Sequence, residues 1–137
     1  MSQYLRLHVG GVAVAVHYTN VLEVGQWQQN KRQEKILWRE HTVPLVMLSE
    51  LMSLPASQCD SFVVVGSNGE AESDIVMILV DRIEPLVTIA EHEFRPVLAE
   101  DTSVVRLADE AWYNGEDDQI LVKLNVQTLI STVASYV

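Results

Sequence analysis

Six consecutive apolar residues, Ile75-Val-Met-Ile-Leu-Val80, constrain this chain more than any other feature. A β-strand of that composition has no polar face to offer water, so both of its faces must be covered by other protein. An unpaired charge is costly in an interior. Asp81, arriving at the end of the run, therefore predicts the point where the strand emerges or caps a turn. Beyond it Ile83, Leu86 and Ile89 recur at threes with Pro85 among them. Proline cannot donate to a central ladder, so the pattern predicts strand, kink, strand, with the bend at the proline.

With 137 residues, 48% of them hydrophobic, the chain can bury one sizeable core, or two small ones sharing a wall. One compact unit spanning residues 1–137 is the expectation. Cys59 is the one cysteine, which excludes an internal disulfide and a zinc site of several thiolates and suits a reducing compartment. The start, Met-Ser-Gln-Tyr-Leu-Arg-Leu, lacks the pattern of a secretory leader. No apolar run approaches the ~20 residues of a membrane helix, so a cytoplasmic protein without membrane insertion is expected. A formal net charge of -10 repels phosphate backbones and argues against a nucleic-acid partner. The one basic cluster, Lys31, Arg32, Lys35 and Arg39, is interleaved with Glu34 and Glu40 and reads as a solvated loop.

Along the chain, Leu5-Arg-Leu-His-Val and Val12, Val14 and Val16 alternate about Gly10-Gly11, an amino-terminal hairpin with His8 and His17 on its solvated face. An irregular or helical turn through Val21, Val24 and Trp27 leads into a strand, and Gln28 to Lys35 is an exposed loop. Ile36-Leu-Trp and Thr42-Val-Pro-Leu-Val-Met-Leu follow as strands. A short helix capped by Ser49, with Leu48, Leu51 and Met52 inward, ends at Pro55. Phe62-Val-Val-Val pairs with the Ile75 run across a turn at Ser67-Asn-Gly. Glu91 to Thr102 is an acidic loop that tucks in Phe94, Val97 and Leu98. Val104-Val-Arg-Leu-Ala and Gln119-Ile-Leu-Val-Lys-Leu form a third hairpin around Tyr113-Asn-Gly-Glu. Asn125 caps a last helix whose stripe is Val126, Leu129, Ile130 and Val133. Many short strands with two short helices predict a mainly β fold of two small five-stranded barrels sharing a wall, with short helices including a C-terminal one.

Catalytic signatures are missing from this inventory. There is no Gly-rich phosphate loop, no Gly-x-Ser-x-Gly and no pair of histidines at ligand spacing. His41 and His92 are lone imidazoles, and nothing in the sequence brings Asp81 or Asp109 to a histidine. No enzyme activity, cofactor or metal is expected, and a binding role must rest on exposed apolar surface.

The order of four segments carries a resemblance: Val21-Leu-Glu-Val, Leu37-Trp-Arg-Glu-His-Thr-Val-Pro-Leu-Val-Met-Leu, Leu79-Val-Asp-Arg-Ile-Glu-Pro-Leu-Val-Thr-Ile and Ile120-Leu-Val-Lys-Leu-Asn-Val-Gln-Thr-Leu. Together they resemble the CheW-like domain, the coupling module of bacterial chemotaxis arrays, over nearly the whole chain. Val21, Glu23 and Val24 match the family's first motif; Trp38, Arg39, Val43, Pro44 and Leu48 match the second; Val80, Asp81, Ile83, Leu86 and Ile89 match the third. Glu40 and Met47 stand where the family usually has glycine and aspartate. The tight turn that glycine permits must therefore be remade or relaxed at Glu40. The segment from Glu23 to Pro44 is also shorter than is usual in the family.

What the resemblance implies is a non-catalytic adaptor that docks the cytoplasmic tip of a chemoreceptor and a regulatory domain of a histidine kinase, through a groove between barrels and a barrel edge. The shortened segment leaves room for a member that serves surface motility or the polar placement of an array. A sensor of small molecules or peptides in the inter-barrel groove is a different reading. The implied partner-binding residues are Arg39 and Glu23, with Trp38, Trp27 and Glu40 beside them. Each has a plainer role available: Arg39 pairing with Glu40 or Glu34, Glu23 as a solvated acid at a strand edge, Trp38 in the core. Trp27, next to the polar loop, is the tryptophan expected to be exposed.

Overall fold

The computed structural model describes residues 1–28, 33–55, 58–67, 74–97, 107–115 and 119–134. Its strands are β1 (Ser2–Val9), β2 (Val12–His17), β3 (Val21–Gln26), β4 (Lys35–Trp38), β5 (His41–Met47), β6 (Ser61–Gly66), β7 (Ile75–Val80), β8 (Arg82–Ile89), β9 (Arg95–Pro96), β10 (Glu110–Asn114) and β11 (Gln119–Lys123). Helix α1 (Leu48–Leu51) follows β5, and α2 (Val126–Ala134) follows β11. One sheet has six strands in the order β8-β1-β2-β11-β10-β9, the other five in the order β3-β6-β7-β5-β4. The mainly β architecture with a C-terminal helix is as the sequence predicts. The expected barrels are not closed ladders: each sheet ends in two different edge strands.

The β7 run is buried at all six positions, and its side chains are shared out by the two-residue period of a strand. Val76, Ile78 and Val80 enter a central cluster fed by both sheets and both helices. Ile75, Met77 and Leu79 enter a second cluster on the far face of the five-stranded sheet, with Trp38, Val43, Leu45 and Val64. The six-stranded sheet does the same. Leu5, Leu7, Val14 and Val16 face the central cluster, and Tyr4, Ala15 and Leu121 face a third cluster closed by Phe94. The helix stripe Val126, Leu129, Ile130 and Val133 is buried in the central cluster as predicted. Asn125 caps α2, its Oδ1 accepting from the Thr128 N–H at 3.0 Å.

The bend after β7 falls at Asp81, where the chain leaves one sheet for the other. Its N–H donates to the His8 carbonyl at 2.9 Å. Its Oδ2 accepts from the Gly10 N–H at 3.2 Å, which ties it to the Gly10-Gly11 turn. Pro85 does not make the kink. It lies in edge strand β8, where the register against β1 slips between Tyr4 and Arg6, and its carbonyl accepts from Arg6 Nε at 2.9 Å. An edge and a bulge are both places where a strand tolerates proline.

Three local expectations are corrected. Val21 to Gln26 is itself strand β3, and the helical turn precedes it at Tyr18–Asn20. The strand opposite β11 is Glu110–Asn114, so Tyr113 and Asn114 are in the ladder and not the turn. Val104 to Arg106 and Leu98 lie outside the described residues, while Leu107 and Ala108 are buried. Ser49 does not cap α1. Met47 occupies the cap without a side-chain bond, and Ser49 sits inside the helix, its hydroxyl buried with no partner among the described residues.

Candidate functional site

Strands β4 and β5 form a hairpin whose last pair is Trp38 with His41, which leaves Arg39 and Glu40 as a two-residue loop. Both take positive φ, 46° and 70°. Two successive left-handed residues are what matches a hairpin to the right-handed twist of its strands, and the usual occupants are Asn-Gly. A side chain with a Cβ pays roughly 1–2 kcal/mol for that conformation. The turn at Glu40 is thus a left-handed loop held under strain.

The strained turn aims Arg39. Its guanidinium carbon lies 4.6 Å from the centroid of the Trp38 ring, and its Nη2 is 3.0 Å from Glu23 Oε1 on β3. Glu23 pairs with Val64 after a register slip at Val21/Glu23, which turns its carboxylate toward the face that carries the second cluster. Strands β3 and β4 are opposite edges of the five-stranded sheet. A flat sheet would hold them roughly 19 Å apart, four strand spacings of ~4.8 Å. The 3.0 Å contact therefore shows that the sheet curls until its edges meet through side chains.

The structure thus brings together three of the five expected residues, Arg39, Glu23 and Trp38. The partner of Arg39 is Glu23, not Glu34 or Glu40. Trp38 is a core residue, 9% exposed, whose indole N–H has no partner among the described residues. Trp27 is not the exposed tryptophan of the sequence reading. It is half-buried against the same cluster, and its backbone N–H donates to the Asp60 carbonyl at 2.9 Å. Glu40 is exposed at the tip of the hairpin.

The Arg39 side chain remains 61% exposed, so its ion pair and its stacking are each worth no more than about 1 kcal/mol. Their effect is orientation: a planar donor fork is held in one direction at the surface. Apolar side chains surround it at a distance along the same edges. Leu37 on β4 is 71% exposed and Val24 on β3 is 46% exposed. Val24 pairs with Val63 of the central cluster, which places it at the rim of the space between the sheets. Sequence reasoning missed Leu37 because both faces of Ile36-Leu37-Trp38 are apolar, so the pattern does not say which is inside.

Elsewhere the polar groups make structural contacts. His8 Nε2 is 2.7 Å from Glu84 Oε1, so His8 is paired across β1 and β8 and not merely solvated. His17 Nδ1 accepts from the Thr19 N–H at 3.2 Å and caps the 3-10 turn Tyr18–Asn20. The Ser2 hydroxyl donates to Glu91 at 2.9 Å and helps to hold that carboxyl below its usual range. Among the described residues no three His, Cys, Asp or Glu side chains are grouped to hold a metal ion. No helix among them is long and apolar enough to cross a membrane.

The sequence model of the CheW-like domain matches residues 3–134. Among solved structures, the chain is similar to the crystal structure of the scaffolding protein TtCheW from Thermoanaerobacter tengcongensis. The TM-score is 0.70 at 12% identity, over 90% of this chain and 88% of that one. Comparison with curated protein sequences gives no match.

Proposed function

Because this chain belongs to the CheW-like domain family, we propose that it is a non-catalytic cytoplasmic adaptor that couples the cytoplasmic tip of a chemoreceptor to the regulatory domain of a histidine kinase in a chemotaxis or related array. The observation that carries this reading is the Arg39 fork, held over Trp38 by Glu23 at the seam where the curled sheet meets itself. A molecule that only had to be stable would gain little from that arrangement, since an exposed ion pair adds 0–1 kcal/mol. A docking protein gains a directed donor on a fixed scaffold.

The test is capture of a receptor tip and of a kinase regulatory domain by the full chain. Both should bind, and Arg39→Glu should weaken capture of at least one by tenfold or more while the unfolding free energy stays within about 1 kcal/mol of wild type. Unchanged capture by Arg39→Glu removes that residue from the site. Failure to capture either partner, together with saturable tryptophan quenching by a small ligand, would replace the adaptor with a sensor.

A further inference from the structure

On the six-stranded sheet, away from the Arg39 turn, four charged or titratable side chains share one face of the β1–β8 ladder. The register sets Arg6 opposite Glu84 and His8 opposite Arg82, so the four occupy the corners of a square with the two arginines on a diagonal. All of them converge on Glu84. His8 Nε2 lies 2.7 Å from Glu84 Oε1, and Arg82 reaches the same oxygen with Nε and Nη2, each at 3.3 Å. Arg6 Nη1 is 3.9 Å from Oε2.

Donors exceed acceptors in this square. A carboxylate oxygen presents about two lone-pair positions, and Oε1 already faces an imidazole and two guanidinium nitrogens. His8 Nε2 is also 3.3 Å from Arg82 Nη2, and with its proton directed to Glu84 that nitrogen has no lone pair for the arginine. Arg6 fares no better. Its Nε donates to the Pro85 carbonyl at 2.9 Å, but 3.9 Å is too long for a hydrogen bond from Nη1. Neither Nη group of Arg6 therefore has a hydrogen-bond partner among the described residues. The next strand brings none, because the β2 residues opposite Arg6 and His8 are Ala15 and Ala13. Asp81, beside Arg82 in the chain, directs its Oδ2 to the Gly10 N–H at 3.2 Å. The side chains of Arg6 and Glu84 are 25% and 24% exposed, so water compensates the imbalance only in part. Arg82, at 64%, stays open to solvent.

We infer that this square is a binding site for one oxyanion, a carboxylate or a phosphate group, taken between the guanidiniums of Arg6 and Arg82. Guanidinium forks match both groups in charge and in planar donor geometry. The anion supplies the acceptors that Arg6 lacks, and it draws Arg82 away from the crowded Oε1. Glu84 positions His8 and Arg82, while its like charge lowers affinity for the incoming anion. The site lies on the other sheet from Arg39 and stands or falls independently of the adaptor reading.

The experiment titrates the full chain at constant ionic strength with inorganic phosphate and, separately, with acetyl-Glu-amide. Binding is read by calorimetry and by the imidazole resonances of the four histidines. One equivalent of anion should bind saturably and shift the His8 resonances while those of His41 and His92 stay in place. Tighter binding of phosphate assigns a phosphate ligand and tighter binding of the glutamyl amide a protein carboxylate; either result supports the site. Arg6→Met and Arg82→Met should each weaken binding by about tenfold or more. Arg6→Lys, which keeps the charge should methionine disturb folding, should weaken it by a smaller factor. Glu84→Gln should tighten binding by about tenfold, since the competing charge is gone. Shifts that rise without saturating, or that His41 and His92 share, overturn the site. A Glu84→Gln chain that binds no more tightly than wild type overturns it as well, because the guanidiniums then serve only their own carboxylate.

Discussion

Glu40 holds a φ of 70° that a residue with a Cβ reaches only at a cost, while its neighbour Arg39 holds 46°. Glu40→Gly should therefore raise stability by about 1 kcal/mol in urea unfolding, the strain relieved exceeding the entropy glycine adds to the unfolded chain. No gain would mean the turn is not strained. Tyr4 is a second test at this scale. Its hydroxyl is buried without a partner among the described residues, and burial, then Glu91 and Glu110, raises its ionisation above the usual range. A phenol with a raised folded value contributes stability below its unfolded value of about 10 and loses it as pH climbs through the folded value. Tyr4→Phe should match or exceed wild type at pH 7, because an unsatisfied hydroxyl is removed, and should lose less stability above pH 10. A lower urea midpoint at pH 7 would show that the hydroxyl has a partner. At this scale the contacts of the candidate side chains were not legible in the sequence. Glu23 and Arg39 are sixteen positions apart on opposite edges of a sheet, and no spacing rule spans a curl.

Among the elements, β7 was the most legible because its composition left no alternative: six apolar residues need cover on both sides, and they have it. Its pairing with β6 follows from two neighbouring apolar runs joined by a turn signal. The third hairpin was misplaced for the complementary reason. Val104-Val-Arg-Leu and Ala111-Trp-Tyr both have strand composition, and only the ladder to β11 decides between them. The β3–β6 pair offers its own test. A Cβ added at Gly25 would lie 2.6 Å from Cε1 of Phe62, whose ring covers the glycine across the ladder. Gly25→Ala should cost about 1–2 kcal/mol, and part of that should be recovered when Phe62→Leu is made in the same chain. Strictly additive effects would show that the ring is not the obstacle.

For the whole molecule we propose one cooperative unit, since the central cluster takes residues from both sheets and both helices. Ile78, fully buried in it, is the probe: Ile78→Ala should cost about 2–5 kcal/mol. Circular dichroism and tryptophan fluorescence should keep a common midpoint that moves as one. Two separated transitions would mean that the sheets unfold independently. That two sheets share a wall was readable from the density of short apolar strands. Whether they close was not, because closure depends on edge-to-edge distances set by twist.

The parallel pairing of β2 with β11 aligns Ala13 with Leu121. On a ribosome adding ~5–20 residues per second, the second strand made waits roughly 5–20 s for this neighbour. During that interval the nascent hairpin has the backbone donors and acceptors of one flank unmet.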